Sequence, residues 1–93
     1  MPLFTFFLDY RGGTYIRQAK ARSPEAALKT WASNLDCNGI QGFGPKRKKQ
    51  LARELSSDEP VAIEGIQNAW CADAIVGGHL ALVHFVRTAQ GRK

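Results

Sequence analysis

The spacing of apolar residues along this chain changes period from two to about 3.6 and back again. Phe4–Arg11 and Thr14–Arg22 are rich in Phe, Tyr, Thr and Ile, as strands prefer, and flank Gly12-Gly13. Ala69–Val76 and His79–Thr88 flank Gly77-Gly78 in the same manner. A two-residue hairpin loop requires positive φ, which glycine adopts without a Cβ clash, so both Gly-Gly pairs predict hairpin turns. In the first hairpin this places Tyr10 opposite Tyr15, Phe6 opposite Ala19 and Phe4 opposite Ala21. In the second it places Trp70 opposite Phe85, Ala72 opposite Val83 and Ala74 opposite Ala81, a wholly apolar face. Cys71 with His84, Asp73 with Leu82 and Ile75 with Leu80 then share the other face. A slip by one residue would exchange the two faces.

Two helices are expected between the hairpins. Ser23 suits an N-cap, Pro24 the first helical position and Glu25 the positive end of the helix dipole. Leu28, Trp31, Ala32 and Leu35 form one helical face, and Asp36-Cys-Asn-Gly39 ends the helix. A glycine-rich stretch, Gly39 to Pro45, leads to a second helix from Pro45 to about Leu55, with Leu51, Ala52 and Leu55 as its apolar stripe. Ser56 to Pro60 forms a turn, and Val61–Ile63 a short strand. The order ββααβββ predicts a single α+β domain over residues 1–93, an antiparallel sheet with both helices packed on one face. Leu28, Trp31 and Leu35 then pack on Phe4, Phe6, Trp70, Val83 and Phe85, and the mixed outer sheet face meets solvent or a partner.

Composition narrows the function classes. Of the 93 residues, 44% are hydrophobic and 23% charged, which argues for a globular chain. No apolar run approaches the ~18–20 residues of a membrane span, and Met-Pro-Leu-Phe carries no positive charge ahead of its apolar stretch, so a cytoplasmic protein is expected. Cys37 and Cys71 are far apart without CxxC spacing, so no metal, disulfide or cofactor is expected. The net charge of +5 favours anionic partners. Much of it lies in Lys46-Arg47-Lys48-Lys49.

Three constellations bear on chemistry. The segment 39–55 resembles the hairpin and second helix of helix-hairpin-helix DNA-binding motifs at Ile40, Gly42, Phe43, Gly44 and Lys46. The resemblance implies sequence-independent grip on a phosphate backbone, through Gly42, Gly44, Lys46, Arg47, Lys48 and Lys49. The alternative is a helix-to-helix turn followed by a solvated basic face. Cys71, Asp73 and His84 share one sheet face, where thiolate, carboxylate and imidazole can form a nucleophilic triad. No oxyanion-hole element or cleft accompanies them, so a buried thiol beside a hydrogen-bonded histidine is the expectation, with no catalytic residue and no enzyme activity. The aromatic set Phe4, Phe6, Phe7, Tyr10, Tyr15, Trp31, Trp70 and Phe85 is read as core; no RNA-stacking run of the Lys-Gly-Phe-Gly-Phe kind lies on a strand.

Asp9, Gly12-Gly13-Thr14-Tyr15 and Ser23-Pro-Glu-Ala-Ala-Leu28 resemble the hairpin-plus-helix unit of the HicB-type antitoxin superfamily. The family's third strand, with its Pro-Asp-x-Pro-Gly-Cys-like segment before the helix, has no counterpart here, and the hairpin from Trp70 to Thr88 lies outside the match. The resemblance implies a non-enzymatic domain that binds a small protein. The expected function is therefore a non-catalytic binding domain for a protein partner or for self-association, including edge-to-edge pairing of two copies. The alternative is a nucleic-acid-binding module using residues 42–49. A Cys/His-based enzyme comes third.

Overall fold

The computed structural model describes residues 1–36, 39–40, 43–56 and 59–89. It contains strands β1 (Leu3–Tyr10) and β2 (Gly13–Lys20), helices α1 (Pro24–Ser33) and α2 (Pro45–Ser56), and strands β3 (Val61–Ala62), β4 (Ala69–Val76) and β5 (His79–Thr88). The strands form one antiparallel sheet in the order β2-β1-β5-β4-β3, the α+β architecture that the ββααβββ pattern implies. The first and last long strands are therefore central neighbours, pairing Leu3 with Thr88 and Tyr10 with Ala81.

The second hairpin has the expected register. Trp70 pairs with Phe85, Cys71 with His84 and Val76 with His79 around Gly77-Gly78, whose φ angles are 59° and 81°. The first hairpin corrects the expectation. Its loop is Arg11-Gly12, with φ of 50° and 83°, and Gly13 is the first residue of β2. Phe4 thus faces Ala19, Phe6 faces Arg17 and Leu8 faces Tyr15. The shift changes each partner by two positions and leaves every side chain on its predicted face. Two polar pairs favour the observed register: Thr14 Oγ1 donates to Asp9 Oδ1 at 2.6 Å and Gln18 Nε2 to Thr5 Oγ1 at 3.1 Å. Gly13 lies under the end of the Tyr15 ring, where a Cβ would sit 2.5 Å from the hydroxyl and would require that ring to shift.

Ser23 caps α1, its hydroxyl accepting from the Ala26 N–H at 3.1 Å. The helix stops at Ser33 with Asn34 as C-cap, earlier than its apolar spacing suggests, yet Leu35 is buried beyond the end. The expected terminator Cys37-Asn38 lies outside the described residues. Helix α1 lies over β2 and β1, and α2 over α1 and β4. Between the helices and the sheet, four rings stack in a column: Trp31 on Phe6 at 5.1 Å, Phe6 on Phe85 at 4.5 Å and Phe85 on Trp70 at 5.5 Å between centroids. Phe4 closes the column's side with a tilted contact to Trp70 and an edge contact to Phe85. Leu28, Leu51, Leu55, Val76 and Val83 complete the buried cluster.

Candidate functional site

The basic run is split by helical geometry. Lys46 and Lys49 are exposed, and Arg53 extends them at i, i+3, i+7 spacing into one solvated stripe. Sequence reasoning overlooked Arg53, although its separation of seven from Lys46 is the signal that marks it. Lys48 is half-buried and, with Lys49, rims a shallow depression of about 400 Å³ floored by Ala32, Pro45 and Ala52. Arg47 is not part of this stripe. Its guanidinium turns toward the sheet, donates to the Tyr10 hydroxyl at 3.3 Å and lies against the bare Cα of Gly77. Tyr10 in turn donates to the Val76 carbonyl at 2.9 Å, and the Gly77 N–H donates to Gln50 Oε1 at 3.1 Å. Arg47 therefore ties α2 to the β4–β5 turn. The turn favours glycine for its φ, and a Cβ on Gly77, 2.2 Å from the guanidinium, would in addition displace Arg47 from its place.

The glycine-rich segment serves as an anchor. Ile40 and Phe43 are buried, and Phe43 meets the Tyr10 ring edge-on at 5.0 Å. Gly42 lies outside the described residues. Gly44 contributes its carbonyl to the Lys48 N–H at 3.0 Å, within the first turn leading into α2.

Cys71 and His84 are direct cross-strand neighbours and both are half-buried; Asp73, opposite Leu82, is exposed. Cys71 is a free thiol. The surface beside them is a shallow depression lined by Glu59, Val61, Cys71, Ala72, Asp73 and Leu82. Among the described residues, no group of three His, Cys, Asp or Glu side chains is placed to hold a metal ion.

The two helices cover one sheet face; none of the described elements lies on the other. That face carries a transverse row set by the register, Ile16–Phe7–His84–Cys71–Val61. A second row, Gln18–Thr5–Val86, lies on one side of it, and a third, Thr14–Asp9–Leu82–Asp73, on the other. Ile75 pairs with Leu80 beyond the third. Ile16, Val61, Ile75, Leu80 and Val86 are between 36% and 63% exposed, five of the seven large apolar side chains so exposed among the described residues. Sequence reading located this face as a mixed outer surface. Its density of exposed aliphatics emerges only once β1 and β5 lie side by side and join the two hairpin faces.

The free edge of β2 is guarded. In a two-residue hairpin the closing pair is hydrogen-bonded, so Ile16 and Gln18 direct their backbone groups outward. Arg17 donates from its guanidinium to the Ile16 carbonyl at 2.8 Å and occupies the middle of that edge.

No helix among the described residues is long and apolar enough to cross a membrane. Comparison with protein-family models, with curated proteins and with solved structures finds no match.

Proposed function

We propose that this chain is a small non-catalytic binding domain that engages a protein surface, either a partner's or its own, through the uncovered sheet face. The observation that carries this reading is the set of five exposed aliphatics on the sheet face opposite the helices: Ile16, Val61 and Val86 in the first two rows, and Ile75 with Leu80 beyond the third. Apolar patches of a few hundred Å² or more on a soluble domain mark interaction sites. The shallow surface around Cys71 and His84 favours docking over chemistry, because it offers no enclosed space for a substrate. The HicB-type resemblance of the first hairpin and α1 points the same way. The chain should be immobilised and exposed to lysate, with bound protein and nucleic acid both identified by mass spectrometry. We expect protein, a lysate partner or further copies of the chain added in solution, to be retained by wild type and lost from Val86→Glu and Ile16→Glu variants. Retention unchanged in both variants would contradict the reading.

The Lys46–Lys49–Arg53 stripe supports a second reading, non-specific contact with a nucleic-acid backbone. Three cations can neutralise about three phosphates, so the log–log salt slope on duplex DNA should be about −2.7 at most. We expect duplex DNA affinity no tighter than about 10⁻⁴–10⁻⁶ M at physiological salt, measured by fluorescence anisotropy. Sub-micromolar binding abolished by Lys46→Glu with Lys49→Glu would place nucleic acid first.

A further inference from the structure

We infer that the uncovered sheet face is covered by a second copy of this chain, sheet on sheet, in a two-fold dimer. The inference rests on the reading of that face as a docking surface and names its occupant.

Size is the first argument. Four full strands about 4.8 Å apart and eight residues long give a footprint of about 500 Å². Two such faces bring about 1,000 Å² together, the size at which specific interfaces begin. The sheet face is broad and carries only shallow depressions among the described residues, so it suits another flat sheet better than a single helix or extended peptide. Facing sheets pack about 10 Å apart through interdigitated side chains, and the exposed aliphatics of rows one and two supply them.

Charge is the second argument. Among the described residues, Lys20 sits at one end of this face, and Asp9, Asp73 and Glu59 lie near the other, where they outnumber the neighbouring Arg11. A two-fold axis in the plane of the face and perpendicular to the strands brings the lysine end of each copy over the carboxylate end of its partner. The face is thus self-complementary in charge. The basic residues Lys46, Lys49 and Arg53 lie on α2, on the far side of the sheet. In the dimer the two stripes are separated by both sheets, farther apart than the ~8–10 Å Debye length at physiological salt. The net charge of +5 on each copy then opposes association only weakly. The guarded β2 edge is the third argument: Arg17, seated on the Ile16 carbonyl, disfavours the edge-to-edge pairing that the sequence suggested.

Sedimentation equilibrium and light scattering of the intact chain, from low to high micromolar concentration, test the inference. Wild type should be a dimer whose thermal midpoint rises with concentration. Val86→Glu, in the centre of the face, and Ile16→Glu, at its side, should each raise the dissociation constant about 100-fold or more, because each buries an unpaired charge. Both side chains are at least one-third exposed in one copy, so the circular dichroism of each variant should match wild type. A fold lost in one variant leaves the other, and the concentration dependence of wild type, to decide. A wild-type monomer at every concentration overturns the inference, as does a dimer equally tight in both variants. A monomer that captures a protein through this face, with capture lost in Val86→Glu, overturns self-pairing alone. A monomer that captures nothing overturns the docking reading too.

Discussion

Replacing Trp31 by Ala should lower stability by about 3–5 kcal/mol, enough to leave a domain of ordinary stability marginal. Trp31 is 3% exposed and forms the helix end of the ring column, stacked on Phe6 within 7° of parallel. Its loss opens a cavity between α1 and the sheet that neither rigid layer can close. Trp31→Phe should behave differently. The indole Nε1–H is buried without a hydrogen-bond partner among the described residues. An unsatisfied donor of this kind costs about 1–3 kcal/mol, and Phe removes it while keeping a ring on Phe6. The relief offsets much of the lost volume, so Trp31→Phe should unfold in denaturant close to wild type and well above Trp31→Ala. An Ala midpoint near wild type would make Trp31 peripheral. A Phe variant as weak as Ala would show that the indole N–H has a partner.

Tyr10→Phe should cost about 1–3 kcal/mol although it removes a single oxygen. The ring keeps its edge contact with Phe43, but the Val76 carbonyl loses a donor and the Arg47 guanidinium an acceptor. These bonds couple the end of β1 to the β4–β5 turn and to α2. Arg47→Met should cost less alone, because the bond from Tyr10 to Val76 survives. A double-mutant cycle should show the two substitutions to be non-additive. Additive effects would mean that Arg47 and Tyr10 act independently.

These residues also show what the sequence exposes and what it conceals. Gly77-Gly78 announced its turn because both glycines occupy the positive φ that a two-residue loop requires. Gly12-Gly13 misled by one position because Arg11 takes the first positive-φ place and Gly13 begins β2, and both turn placements give the same inward set. Alternation fixes faces, whereas the choice between the two turns rested on polar pairs such as Asp9 with Thr14. Arg47 looks like its three basic neighbours in a linear reading. The sequence did contain a clue, since Arg47, Leu51 and Leu55 recur every four residues and share the inward side of α2. The candidate docking face was legible strand by strand but not as a surface. Its breadth depends on β1 pairing with β5, about 80 residues apart, and nothing in either hairpin specifies that neighbour.

The same β1–β5 ladder bears on how the protein is made. The Phe-rich strand β1 leaves the ribosome well before its inner partner β5, which ends at Thr88, whose hydroxyl bonds that of Thr5. The first hairpin and α1 can form early, but Phe6 cannot stack on Phe85 until β5 has emerged. At synthesis rates of about 5–20 residues per second, the nascent chain carries an open aromatic strand edge for several seconds. Assembly of the sheet is then a late, long-range event, slow in the manner of non-local β topologies.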